Sequence, residues 1–116
     1  MDRLQELQSM SDDELNELVA KMVMKWAIHE KDGVKRYYDL EGYTGYKNDN
    51  WNPTTDMNDA TQLVDIFGSW QLTKMGMNNP DREYRAIVNK NHHVAYASNG
   101  ARAITIAAIL AKEGRE

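Results

Sequence analysis

The sequence has no cysteine and no long apolar run among its 116 residues. Without cysteine there are no disulfides, thiolate zinc sites or cysteine nucleophiles, which agrees with a reducing compartment. No apolar segment approaches the roughly 20 residues that cross a bilayer. The first five residues, Met-Asp-Arg-Leu-Gln, lack the basic-then-apolar layout of a secretory signal. We therefore expect a cytoplasmic protein with no membrane partner.

The sequence also lacks an excess of positive charge, since its formal net charge is −4. Broad binding to DNA or RNA needs a concentrated basic face, so we expect neither as a partner, although a local basic pocket remains open. The composition, 41% hydrophobic and 28% charged, is that of a globular chain. Its length predicts one domain, with residues 1–10 as an N-terminal extension and residues 11–116 as the domain.

The clearest local signal is a helix start at Ser11, followed three residues later by Glu14. This spacing is a capping box, in which each residue satisfies a backbone donor of the other. The apolar positions after it recur at steps of three and four, so the helix has one face that can cover a sheet. These positions are Leu15, Leu18, Val19, Met22, Val23 and Trp26.

The middle of the chain predicts two short strands and a second helix. The turn Asp32-Gly33 precedes a β-prone run at residues 34–38, and a second strand or extended loop comes next at residues 43–46. After a polar stretch, Thr54 or Thr55 is expected to cap a helix that Gly68 ends.

The second half predicts three strands in sequence, at residues 70–75, 83–88 and 94–97, then an alanine-rich helix at residues 101–112. Connections this short favour antiparallel neighbours, because a parallel return needs a long crossover. The expected fold class is therefore α+β: a single-domain sandwich with one antiparallel sheet and three helices, in the order αββαβββα.

Two helix starts are candidate binding sites, because free backbone amides at a helix N-terminus attract anions such as phosphate. At the last helix Ser98 and Asn99 offer hydrogen bonds, Gly100 allows close approach, and Arg102 can clamp a phosphate with two donors. The alternative is that these residues form an ordinary turn and cap with a solvated arginine.

At the earlier helix start, Trp51 and Asn52, with Tyr43 and Tyr46 nearby in sequence, can stack on a nucleobase and read it. The alternative is structural: Trp51 fills the edge of the sandwich while Pro53 and Thr54 fix the helix start. The remaining candidates in the ligand-binding set lie at this start and on the later strands. They are Thr54, Arg85 and His93. Arg85 and His93, with Lys74, can share one strand face, and the alternative is that they are scattered surface charges.

Metal and catalytic chemistry have little support in the sequence. His92 and His93 are adjacent, so on a strand they point to opposite faces, and no partner ligand stands at helical spacing. No triad, phosphate-binding glycine motif or catalytic histidine occurs. We expect no cofactor, no metal site and no enzymatic activity.

Three segments resemble the phage ABA-sandwich family of small phage and prophage proteins: residues 10–20, the Tyr43-Thr44-Gly45-Tyr46 segment and the more specific Trp51-Asn52-Pro53-Thr54-Thr55-Asp56 stretch. The resemblance covers nearly all of residues 10–112 and implies a small α/β sandwich. The chain departs from the family pattern in its N-terminal extension and at residues 98–102, where similar sequences more often have a Thr-Ala-Pro-like helix start.

A function enters only through this resemblance. Some compact phage α/β proteins act as sponges against Thoeris or CBASS defence, so the resemblance suggests an anti-defence protein that binds a host nucleotide signal without cleaving it. An ADP-ribose-type signal is favoured over a cyclic dinucleotide, and a homo-oligomer is expected. The alternatives are a protein-binding accessory or inhibitor domain and an enzyme that cleaves the signal.

Overall fold

The computed structural model describes residues 3–38, 45–47, 51–64, 67, 69–75, 83–88 and 93–113. These residues form four helices and six strands, a mixed α+β arrangement of the expected class. In chain order the elements are α1 (Arg3–Ser9), α2 (Asp12–Met22), β1 (Ala27–Lys31), β2 (Val34–Tyr38), β3 (Gly45–Lys47), α3 (Met57–Val64), β4 (Trp70–Lys74), β5 (Tyr84–Val88), β6 (His93–Ala97) and α4 (Gly100–Glu113).

Helix α2 begins as the sequence predicts, with both hydrogen bonds of the capping box. The Glu14 amide donates to Ser11 Oγ at 3.1 Å, and the Ser11 amide donates to Glu14 Oε1 at 3.1 Å. These two bonds fix the start of the helix, and the apolar stripe then turns inward. Leu15, Val19 and Ala20 are fully buried.

The described strands form two three-stranded antiparallel sheets, where the sequence predicted one. In the first sheet β1 pairs with β2, and β2 pairs with β3. Asp32 and Gly33 both have positive φ at the β1–β2 turn, as a tight hairpin needs. Strand β1 was missed because Ala27–Lys31 has few of the β-branched and aromatic residues that indicate a strand.

The second sheet has the order β4-β5-β6, which confirms the predicted meander. Helix α4 packs across β5 and β6, and it is so apolar that every residue from Ala103 to Leu110 is buried. Gly100 lets β4 approach the start of α4, since a Cβ there would lie 2.8 Å from Leu72 Cδ2. The side chains of Ala86, Val88 and Ala95 are buried on this face of the sheet.

Residues 3–9 form a separate helix that is attached to the last residue of α4. Arg3 Nη2 lies 2.6 Å from Glu113 Oε2, and hydrogen bonding to this carboxylate raises the pKa of the arginine. Gln8 Nε2 donates to the Tyr96 carbonyl at 2.8 Å, so α1 also contacts the outer edge of β6. Leu7 is fully buried against the core.

Helix α3 begins later than predicted, because Asp56 caps it and neither Thr54 nor Thr55 does. Asp56 Oδ1 accepts from the amides of Asn58 at 2.8 Å and Asp59 at 3.3 Å. Aspartate is among the best N-caps, and its use here leaves the threonines in the preceding turn. Thr54 is instead fully buried.

Candidate functional site

The turn before α3 is held by a network of buried polar groups. Asn16 on α2 is 2% exposed, and its Nδ2 donates to Asn52 Oδ1 at 2.6 Å. Asn16 Oδ1 accepts from the Thr54 amide at 3.2 Å, and Thr54 Oγ1 donates to Asn52 Oδ1 at 3.2 Å. The side-chain oxygen of Asn52 therefore accepts two bonds from within the protein, and one of them uses the hydroxyl proton of Thr54.

Two further contacts close this turn from α3 and α4. The Asn52 amide donates to Asp59 Oδ2 at 2.9 Å, and Thr105 Oγ1 donates to the Pro53 carbonyl at 2.9 Å. Burial raises the pKa of the Asp59 carboxyl, although the hydrogen bond from Asn52 acts in the opposite direction. The turn thus binds three helices together through its own backbone.

Trp51 lies in the core beside this turn. It is only 1% exposed, and its ring lies 4.7 Å from that of Trp26, tilted by 59°. A ring buried to this extent has no face toward solvent on which a base can stack. The geometry therefore agrees with the structural alternative, and ligand binding by Trp51 stays a prediction that needs a rearrangement.

The start of α4 has the predicted cap, since Asn99 Oδ1 accepts from the Arg102 amide at 2.8 Å. The guanidinium of Arg102, however, is directed into the corner between α1 and α2. Its Nη1 lies 2.6 Å from Asp12 Oδ1, and its Nη2 donates to the carbonyls of Gln8 at 3.1 Å and Met10 at 2.5 Å. With only 14% of its side chain exposed, Arg102 joins α4 to the α1–α2 junction.

The structure describes less of the remaining predicted site residues. Ser98 is exposed beside the α4 start. Tyr46 lies in β3 opposite Tyr37, and His93 lies in β6 opposite Val88, but their side chains are not described. Tyr43 lies outside the described residues. Ligand binding by all of these residues stays a prediction.

Arg85 differs from Arg102, because no described residue forms a hydrogen bond or ion pair with its guanidinium. Its Nε is enclosed by protein and has no acceptor. Burying a polar group without a partner costs free energy, and the cost is higher for a charged one. An anionic ligand beside this guanidinium would therefore supply acceptors that the described residues do not.

The register of the second sheet shows what surrounds Arg85. Thr73 lies directly opposite on β4 and Tyr96 directly opposite on β6, so all three share the face that points away from α4. Arg85 and Tyr96 form a pair that is not hydrogen-bonded, whose Cα atoms typically lie about 4.5 Å apart with close side chains. The described members of this face, called here the open face, are Gln71, Thr73, Arg85, Ile87, Val94 and Tyr96.

Comparison with known proteins gives the family. The model of the phage ABA sandwich domain matches residues 17–109, which is most of the chain. This protein belongs to the phage ABA-sandwich domain family. A phage protein from Bacillus cereus ATCC 14579, solved at 2.0 Å, has a similar fold, with a TM-score of 0.65. The two are 20% identical over 93% of this chain and 92% of the other, so the likeness shows the fold alone. No curated protein sequence matches this one.

In this phage ABA-sandwich domain, Arg85 is a candidate from the sequence whose role in binding stays a prediction, and its neighbours were missed. Thr73 and Tyr96 were not singled out, because their proximity to Arg85 depends on a strand register that a single sequence does not fix. The available signal was the alternation along residues 84–88, in which Ala86 and Val88 are buried and Arg85 and Ile87 are not fully so. Within the described residues, no helix has both the length and the apolar character of a membrane span.

Proposed function

We propose that this phage ABA-sandwich protein binds a nucleotide-derived immune signal of the host and sequesters it without cleaving it. The observation that supports this most is the guanidinium of Arg85 on the open face, for which no described residue supplies an acceptor. Arginine matches the geometry of phosphate oxygens with two parallel donors. A phosphate at the terminal nitrogens of this half-buried side chain would supply acceptors that no described residue supplies.

The neighbours of Arg85 support a nucleotide over inorganic phosphate. Tyr96 supplies an aromatic ring beside the cation, and Thr73 supplies a hydroxyl on the other side. Ile87 and Val94 continue the same face with apolar surface. Sheet faces that combine aromatic rings with cations are suited to stacking a base while the cation holds the phosphate.

We favour a signal of the ADP-ribose type, with a cyclic dinucleotide as the second choice. One arginine beside one ring matches a ligand in which a single ribose links the pyrophosphate to a single base. A cyclic dinucleotide has two separated phosphates and two bases, for which the described face offers one cation. The donors and apolar groups on this face suit capture, and its six described members include no histidine, aspartate or glutamate, which are the commonest general acids and bases.

Calorimetric titration with cyclic ADP-ribose isomers, histidine-ADP-ribose and cyclic dinucleotides tests the proposal. We expect one class to bind, and we expect chromatography of the denatured complex to return the ligand intact. A chemically altered ligand would show that the protein is an enzyme that cleaves the signal. Failure of the entire panel to bind would remove the sponge hypothesis.

A protein-binding accessory or inhibitor domain is the second candidate function. The described residues include two large apolar side chains that are exposed, Met57 at 40% and Trp70 at 38%. A partner protein that covered either side chain would remove apolar surface from water. Pull-down from host lysate with wild-type protein and Trp70→Ala separates this function from the sponge, because only a protein-binding role predicts a Trp70-dependent partner.

A further inference from the structure

The two outer edges of the second sheet differ in how their backbone groups are used. The Met75 amide donates to the Glu83 carbonyl at 2.7 Å, so residues 71 and 73, which alternate with Met75, also point their backbone groups toward β5. The backbone groups of Trp70, Leu72 and Lys74 therefore point outward from β4. On the opposite edge, Gln8 of α1 occupies the outward carbonyl of Tyr96.

The outward groups of β4 have no such cover in the part of the chain that the structure describes. No described residue bonds to the backbone of Trp70, Leu72 or Lys74 on this side, and β5 is the only strand neighbour of β4 there. An edge strand in this state is a template for another strand. Trp70, exposed at the same edge, adds apolar surface to it.

We propose that a second copy of this chain pairs with β4 in antiparallel fashion about a twofold axis at Leu72. This register places the outward groups of Leu72 opposite those of the partner's Leu72, and Trp70 opposite the partner's Lys74. The twofold axis repeats the second pair, which gives three pairs in all. Each is a hydrogen-bonded pair, because the backbone groups of residues 70, 72 and 74 all point outward. The β4-β5-β6 sheets of the two copies then form one continuous six-stranded sheet.

The side chains of β4 favour a second copy over an unrelated strand. Trp70, Leu72 and Lys74 lie on the same face, so the twofold axis brings each Trp70 ring beside a lysine of the other copy. A lysine over a tryptophan face is a favourable contact, and Lys74 is available for it. Its side chain is 63% exposed and its ion pair with Glu83 is long, at 3.9 Å. The surface is thus self-complementary, as an isologous interface requires.

Sedimentation velocity of Lys74→Pro and Lys74→Ala tests the interface without disturbing the chain's own sheet. Proline removes an amide that points outward, so the bonds between β4 and β5 remain, whereas alanine keeps that amide. We expect the wild type to approach twice the 13.3 kDa chain mass as its concentration rises across roughly 5–500 µM, the range in which a micromolar complex fills. Lys74→Pro should stay at the chain mass, and Lys74→Ala should still dimerise.

Trp70→Lys provides a second test that does not depend on proline. It places two lysines opposite each other across the twofold axis, so we expect a monomer at every concentration. Circular dichroism that matches the wild type shows that each variant is folded. A wild-type protein that remains at the chain mass throughout, or a dimer that persists in both Lys74→Pro and Trp70→Lys, would overturn the proposal.

Discussion

The helix starts and the open face of the second sheet differ in what their polar groups do. At the start of α4 the Arg102 guanidinium has three acceptors, from Asp12, Gln8 and Met10. On the open face Arg85 has none among the described residues. The two arginines thus differ in their contacts: Arg102 joins three helices, and Arg85 is the one that we propose binds an anion.

The comparison shows why a helix N-terminus in a small domain is a poor guide to a ligand. In this domain Ser11, Asp56 and Asn99 cap the starts of α2, α3 and α4, so amides that would attract an anion are already bonded. The face of a sheet presents side chains, because the backbone groups lie in the plane of the ladder. A polar side chain without a partner on such a face is therefore a better guide to a ligand site than a helix start.

The largest expected effect is at Trp51. Trp51→Ala removes a fully buried ring beside Trp26, and we expect a loss of about 3–5 kcal/mol in the free energy of unfolding. Trp70→Ala is the matched control, since Trp70 is 38% exposed, and it should cost less than about 1 kcal/mol. Urea unfolding at neutral pH measures both. Equal losses in the two variants would contradict the assignment of Trp51 to the core.

Arg102→Ala should cause the second-largest loss in the free energy of unfolding. It leaves Asp12 and two backbone carbonyls without their donor, so we expect a loss of about 2–3 kcal/mol, measured by urea unfolding. The affinity of the folded variant for ligand should not change. An unfolding free energy equal to that of the wild type would show that the α1–α2 corner does not depend on this side chain.

Arg85→Ala should have the opposite profile. Because no described residue accepts from its guanidinium, we expect the free energy of unfolding to change by less than about 1 kcal/mol. Ligand affinity should fall about tenfold or more, as expected when a charge-assisted hydrogen bond is lost. Parallel unfolding and calorimetry experiments give both numbers. A stability loss as large as that of Arg102→Ala would end the distinction between the two arginines.

The smallest effect concerns pH at the start of α3. Because burial raises the folded pKa of Asp59, its protonation contributes stability that is present below the usual carboxyl pKa of about 3.9 and is lost as pH rises through the folded value. Wild-type stability relative to Asp59→Asn should therefore decrease from about pH 4 to about pH 6.5. Urea unfolding of both proteins at the two pH values measures this difference. An increase over that range would show that Asp59 is stabilised as the anion.

Much of the fold could be predicted from the sequence because its signals are local. The capping box at Ser11, the Asp32-Gly33 turn and the alternation of the later strands each depend on a few adjacent residues. Strand β1 and the Asp56 cap were missed, since a weakly β-prone strand forms only where β2 pairs with it, and several cap residues compete in residues 54–56.

The site was less predictable, because it depends on which polar groups find partners. Nothing near Arg102 in the sequence indicates Asp12, which is 90 residues away. Likewise, Asn16 is separated by 36 residues from Asn52 and by 38 from Thr54. Such long-range contacts decide whether an arginine or an asparagine is available to a ligand, and a single sequence does not contain them.

Titration of isotope-labelled protein with ADP-ribose, followed by amide and arginine Nε resonances, tests the central claim most directly. We predict that shifts concentrate on Thr73, Arg85 and Tyr96 of the open face, with the largest change at Arg85 Nε. The amides of Asn52 and Arg102 should remain unchanged, because their bonds are internal. Shifts confined to those two helix starts, or no shifts at all, would contradict the account.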